Sequence, residues 1–264
     1  MTGRAVATRS PTVDAMTVIL LRHGVSTSNT ARTLAGRSPG VDLTERGGEQ
    51  ALAVAERLAP LPIEYIAHSP LLRCARTVAP LAGKLGLDAE PDERLLEVDY
   101  GDWTGRLLSE LVNEPLWKVV QQHASGAVFP GGEGLAQVQY RAVAAVRAID
   151  TELARRHDRD VLWVACSHGD VIKSLLADAF GIHLDGFQRI VVEPASLSIV
   201  RYTPTGPSVW RVNDTGSDLS ALAAPRQPSE QRAGPVPGGE VGAAAEADNG
   251  NIADPPDTGN ERNK

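Results

Sequence analysis

Two short runs constrain this chain more than any other feature: Thr17-Val18-Ile19-Leu20-Leu21 and Val161-Leu162-Trp163-Val164-Ala165-Cys166. A strand with one wet face alternates apolar and polar residues. A continuous apolar, β-branched run is covered on both faces, as in the centre of a parallel-type sheet. Each run passes directly into a histidine and a glycine, Arg22-His23-Gly24 in the first case and Ser167-His168-Gly169 in the second. Those side chains therefore belong to the carboxyl ends of strands, where open α/β sheets form their ligand sites.

The intervening chain reads as strands alternating with helices. Thr44 can cap a helix running to about Leu58, and Ile63 to Ala67 reads as a strand. Ser69 followed by Pro70 reads as an N-cap and a first-turn proline. Leu71, Cys74, Val78, Leu81 and Leu85 keep a helical period after it, which puts Arg73 in the first turn, near the same sheet edge. Residues 100–130 are irregular and rich in Gly and Trp, with a short helix from Gly105 to Gln121. Val138, Ala142, Ala145, Ile149 and Leu153 mark a long amphipathic helix, and another follows Gly169. Ser196 to Tyr202 and Ser208 to Val212 read as closing strands that make the sheet mixed. The pattern predicts a three-layer α/β/α fold with a mostly parallel central sheet.

Length and composition set the boundaries. The 264 residues are ample for one large core. Residues 1–15 lack an apolar core of the signal-peptide type and read as a disordered extension, with Met16 as an alternative start. Residues 16–215 form the domain. Residues 216–264, rich in Pro, Gly, Ala and acids, read as a disordered tail, because they cannot bury enough surface to offset their ordering entropy. The net charge of −7 gives no reason to expect nucleic acid, so an anion site must be a local cluster of Arg and His. No apolar stretch approaches the ~20 residues of a membrane span. Cys74 and Cys166 lie in apolar patterns and read as buried free thiols, which suits a cytoplasmic location.

If the two His-Gly strands are neighbours, His23 and His168 face one site, with Arg22 and Arg73 converging on it. Two guanidiniums and two imidazoles suit a phosphoryl group, because Arg forks match phosphate oxygens. The helix that opens at Gly169 adds free amides that favour an anion. A histidine nucleophile attacks as neutral imidazole, which nearby cations favour. The leaving oxygen then needs a proton, and Glu97, Asp99 and Asp102 are the carboxyl candidates that spacing leaves open. Taken singly, each residue has a plainer role: a structural histidine, a surface arginine, a solvated acid. His68, His123, His157 and His183 keep such roles. Neither an HExxH pattern nor a cysteine partner supports a two-histidine metal site. Several motifs in fixed order are what shift the balance.

In that order the sequence resembles the histidine phosphatase superfamily, in its phosphoglycerate-mutase-like branch. Leu21-Arg22-His23-Gly24 with Ser26 and Asn29 is similar to the opening motif. Ser69 to Thr77 resembles the second motif, with Arg73 in place of the phosphate-binding arginine. Leu96 to Gly105 is similar to the acid-bearing segment and puts the proton donor on Glu97. Pro130-Gly131-Gly132-Glu133 and Ser167-His168-Gly169 complete the series, over residues 17–212. The Ala-, Arg- and Gly-rich composition resembles an actinobacterial subgroup of phosphomutase and phosphatase sequences.

The resemblance implies a phosphoglycerate-mutase-like fold and a two-step reaction. His23 accepts the phosphoryl group while Glu97 protonates the leaving oxygen, and Glu97 then activates water. Arg22, Arg73 and His168 hold the phosphoryl oxygens, helped by Ser26, Asn29 and Gly169. It implies no metal and no cofactor, a small phosphorylated metabolite as substrate, and by analogy a homodimer. Mutases of the cofactor-dependent type carry several basic residues after the acid motif, whereas residues 101–130 here contain only Arg106 and Lys118. Trp103, Leu107, Leu108, Trp117 and Phe129 in that segment suggest an apolar or neutral substrate remainder. A phosphomonoesterase is therefore favoured over a phosphomutase, and both over a catalytically silent phospho-ligand-binding module.

Overall fold

The computed structural model describes residues 16–157, 159–216 and Gly238. The extension over residues 1–15 and the tail, apart from Gly216 and Gly238, lie outside the described residues. In chain order the elements are β1 (Met16–Arg22), α1 (Thr27–Thr30), α2 (Glu45–Leu58), β2 (Ile63–His68), α3 (Leu72–Leu85) and β3 (Ala89–Pro91). They continue as α4 (Leu108–Leu111), α5 (Pro115–Gln122), α6 (Leu135–His157), β4 (Leu162–Ser167), α7 (Gly169–Phe180), β5 (Leu197–Thr203) and β6 (Gly206–Asp214).

The sheet order is β3-β2-β4-β1-β5-β6. The pairs β1/β4, β2/β4 and β2/β3 are parallel, and β5 and β6 add antiparallel pairings on the far side. The two fully apolar runs occupy the centre, as their lack of alternation requires. β1 and β4 pair in register from Thr17↔Leu162 to Arg22↔Ser167, so the chain leaves both strands at one level.

Helices cover both faces. α2 and α3 bury Val54, Leu58, Cys74, Val78 and Leu81 against Ile19, Leu21, Ile66 and Val164. α6 and α7 bury Val138, Ala142, Ile149, Ile172 and Leu176 against Val18, Leu20, Trp163 and Ala165. Alternate residues of β1 thus feed opposite cores, which is the period-2 geometry of a strand between two helical layers. Cys74 and Cys166 are buried and free. No helix among the described residues is long and apolar enough to cross a membrane.

Two local expectations change and one element is new. Thr44 caps α2 as expected, accepting from the Gly47 amide. Ser69 does not cap α3: the N-cap position is Leu71, without a side-chain bond, and the Ser69 hydroxyl is used elsewhere. The single helix expected from Gly105 to Gln121 is two helices, α4 and α5, because Pro115 has no amide to continue a helix and instead opens a new one. The three-residue β3 was not foreseen, since Ala89-Glu90-Pro91 carries no strand pattern.

Candidate active site

His23 is the first residue beyond β1, and its backbone is fixed on two sides. Its amide donates to Ser167 O across the β1/β4 boundary (3.1 Å), and its carbonyl accepts from Ala195 N (3.1 Å). The glycine after it has a steric reason. A Cβ on Gly24 would lie 2.6 Å from Gly47 O, so only glycine lets the loop touch the start of α2. The Gly24 amide donates to Thr77 Oγ1 (3.0 Å), which itself donates to Arg73 O (2.7 Å). One hydroxyl thereby ties the His23 loop to the first turn of α3.

The contacts of the His23 ring determine its tautomer. Nδ1 lies 2.7 Å from Gly24 O, and a carbonyl can only accept, so Nδ1 carries the proton. Nε2 lies 3.3 Å from Arg73 Nε, and a guanidinium can only donate, so Nε2 presents a lone pair. Burial, then the charges of Arg73 and Arg22, hold the His23 pKa well below its ordinary value, against the Gly24 carbonyl. The imidazole is neutral at physiological pH, with Nε2 available as a nucleophile.

Arg22 and Arg73 are almost fully buried. Arg22 Nη1 donates to Val192 O (2.6 Å), and Arg73 Nη2 to Gly36 O (2.9 Å). These acceptors orient the guanidiniums without cancelling their charge. Arg73 Nη1 is buried with no hydrogen-bond partner among the described residues. Buried donors are normally satisfied, so this one marks where an acceptor is wanted.

His168 is the residue before α7 and is fully buried. Its ring lies 5.3 Å from that of His23, tilted by 60°. Nε2 hydrogen-bonds Ser69 Oγ (2.7 Å), which explains the hydroxyl's absence from the α3 cap. Burial first, then Arg73, His23 and Arg22, keep its pKa well below the usual histidine value.

Of the three carboxyl candidates, Glu97 reaches the cavity. It is 3% exposed, with Oε1 accepting from the Val98 amide (3.0 Å) and Oε2 3.9 Å from His168 Nδ1. Burial, and then the charge of Asp170, raise its pKa to about 7, against the pull of Arg73. Asp99 caps the Gly101 amide, and Asp102 is exposed.

The cavity is lined by His23, Arg73 and Glu97 and by neutral residues that include Ser26, Asn29, Thr33 and Leu34. Ser26 and Asn29 bind each other, Ser26 Oγ donating to Asn29 Oδ1 (2.8 Å) in a capping box on α1. Arg22, His168 and Gly169 are buried and are not among the lining residues; Gly169 is the first residue of α7. The aromatic expectation needs correction. Trp103 and Phe129 pack edge-on in the core, and Trp117 stacks on Trp103 at 6.3 Å. Leu107 is exposed, so Leu108 alone of the five lines the cavity. Arg106 is engaged with Glu114 (2.8 Å), and Lys118 is exposed.

Sequence reasoning gave no role to three residues that the fold brings here. Tyr100 lines the cavity and donates to Asp170 Oδ2 (2.8 Å). Gly238 also lines it, its amide donating to Asp170 Oδ2 (2.9 Å) and its carbonyl accepting from Arg22 Nη2 (3.2 Å). Asp170 directly follows the second His-Gly pair, which was the available signal. Gly238 had none, since it lies far beyond the domain in sequence.

A buried cationic cleft with a neutral imidazole and a protonatable carboxyl, at the carboxyl ends of two central strands, is an arrangement suited to phosphoryl transfer. The family model of the histidine phosphatase superfamily (branch 1) matches residues 18–215, and the chain belongs to that family. It is 29% identical over 204 residues to phosphoserine phosphatase 1 of Hydrogenobacter thermophilus, covering 75% of this chain and 92% of the relative. It is 33% identical over 221 residues to a probable phosphoglycerate mutase GpmB of Cronobacter sakazakii, covering 81% and 99%. Among solved structures, a mycobacterial glucosyl-3-phosphoglycerate phosphatase in complex with VO3 superimposes with a TM-score of 0.66 at 26% identity, covering 75% of this chain and 98% of that one. Members with phosphatase and with mutase names thus both resemble it.

Proposed function

We propose that this chain is a metal-independent phosphomonoester hydrolase that forms a phosphohistidine on His23 and acts on a small phosphorylated substrate without a second anionic group. The observation that carries the reading is the pair of contacts that leave the lone pair of His23 on Nε2, beside a guanidinium with an unfilled donor.

The steps follow from these groups. His23 Nε2 attacks phosphorus as the bond to the leaving oxygen breaks, and Glu97 gives that oxygen its proton. The Glu97 carboxylate then takes a proton from water, whose oxygen displaces the phosphoryl group from Nε2. The P–N bond breaks, inorganic phosphate leaves, and His23 and Glu97 return to their starting forms. Arg22, Arg73 and His168 stabilise the phosphoryl oxygens as charge develops, with Ser26, Asn29 and Gly169 completing the binding site. The VO3 complex of the mycobacterial relative, an oxyanion bound by a protein of this fold, supports an anion-binding reading of the site.

Hydrolysis is favoured over mutation because, among the described residues lining the cavity, Arg73 is the one with a permanent positive charge. A mutase must hold a second anionic group of its substrate. The test is incubation with 3-phosphoglycerate, with and without 2,3-bisphosphoglycerate, alongside a set of phosphomonoesters. Phosphate release that survives excess EDTA is expected. Rapid isomerisation without release would establish the mutase, and loss of activity restored by metal would reopen a metal site.

A further inference from the structure

Glu97 lies in neither a helix nor a strand. It falls between two 3-10 turns, Glu93–Leu95 and Gly101–Trp103, so neither a strand ladder nor a helical repeat fixes its backbone. Its carbonyl instead accepts two guanidinium bonds, from Arg37 Nε (2.9 Å) and from Arg141 Nη2 of α6 (3.1 Å). Glu133 joins the two arginines. Its carboxylate accepts from Arg141 Nε (2.9 Å) and Nη2 (3.0 Å), pairs with Arg37 Nη2 (2.8 Å), and accepts the Asp99 amide (3.0 Å). Arg141 Nη1 also donates to Arg94 O (2.8 Å), so the segment is pinned at residues 94, 97 and 99.

All three side chains are only partly exposed, and none lines the cavity. Arg37 directly follows Gly36, whose carbonyl holds Arg73 Nη2. The same dipeptide therefore fixes the phosphate-side guanidinium and the backbone of the acid. Charge-assisted bonds of this kind are shorter and stronger than neutral ones, and their forked geometry sets direction as well as distance.

We infer that Arg37 and Arg141, joined by Glu133, are positioning residues that hold Glu97 where it can protonate the leaving oxygen. The inference rests on the proposed role of Glu97. Displacing a catalytic group by ~1 Å can cost roughly 100-fold in rate. That loss depends on how much the leaving group needs the proton, whereas a purely structural loss does not.

The experiment compares kcat/KM, which covers the steps through phosphoryl transfer to His23, for a primary alkyl phosphate and for p-nitrophenyl phosphate. Arg141→Met should lower the alkyl value by about 30- to 100-fold and the nitrophenyl value by less than about threefold, as Glu97→Gln should. Arg37→Met, at the more exposed end, should show the same pattern more weakly, and it decides the matter if Arg141→Met does not fold. An equal loss on both substrates, or no loss on the alkyl phosphate, overturns the inference. If the unaltered protein releases phosphate from neither substrate, the hydrolase reading falls as well, and that is seen before any variant is made.

Discussion

Arg73 Nε donates to His23 Nε2 across 3.3 Å, so a cation is aimed at the lone pair that would attack phosphorus. Burial first, and then this contact, keep the imidazole neutral, and the contact places a donor beside the proposed phosphoryl position. Together with Glu97, whose pKa is raised to about 7, it defines a pH profile. His23 does not titrate in the same range, because burial, then Arg73 and Arg22, hold its pKa well below the ordinary histidine value. The substrate's second ionisation, with a pKa of about 6, is nearly complete by about pH 7. For an alkyl phosphate, kcat/KM should therefore fall about tenfold per pH unit above about 7, as Glu97 loses its proton. Glu97→Gln should abolish that limb. A limb that persists in the variant would assign it to another group.

The glycine after His23 gives a second prediction. Gly24→Ala would drive a methyl group into Gly47 O at 2.6 Å, against backbone that cannot rotate away. The substitution should lower stability by about 1–3 kcal/mol, as overpacking does, and should lower kcat by shifting His23. Thermal unfolding with steady-state kinetics checks both. An unchanged kcat would mean that the loop tolerates the shift.

Much of this was legible in the sequence because the controlling forces are local. Two apolar runs without alternation required a doubly covered parallel pair, and the register Arg22↔Ser167 then brings the two histidines together. The break before Pro115 was also available, from the missing proline amide. The role of Ser69 was not, because a helix cap and a bond to His168 demand the same local sequence, and tertiary contact chose between them. Trp103 and Phe129 misled for a related reason. Large apolar rings near a site gain more by burial in the core than by lining a wet cleft. The Tyr100–Asp170 bond joins residues far apart in the chain, and only the fold could reveal it.

Asp150 offers a stability test away from the site. Its Oδ1 accepts from Trp163 Nε1 (2.7 Å), its Oδ2 has no partner among the described residues, and burial raises its pKa to about 7. A raised carboxyl pKa means that the folded state binds more protons than the unfolded state between about pH 4 and 7. Stability from this group is therefore present below its unfolded value and lost as pH rises through 7. Asp150→Asn, which mimics the neutral acid, should stabilise by roughly 1–3 kcal/mol at pH 8 and by little at pH 4. Equal effects at both values would contradict the assignment.

Gly238 O accepts from Arg22 Nη2, the guanidinium proposed to hold the phosphoryl group. The residue has φ of +82°, which strains any branched side chain, and a Cβ there would sit 3.1 Å from Leu34 Cδ1, which would have to shift. Gly238→Val should displace it and lower KM for p-nitrophenyl phosphate by about two- to fivefold, the worth of one hydrogen bond. A raised KM would show that Gly238 supports substrate rather than competing with it.

The central claim, a phosphoryl group carried on His23 Nε2, is tested most directly by trapping. Rapid quench with a labelled phosphomonoester, followed by peptide mapping, should find acid-labile, base-stable phosphate on His23 and none on the folded His23→Ala protein. Phosphate release with no such adduct, or an adduct on another residue, would contradict the account.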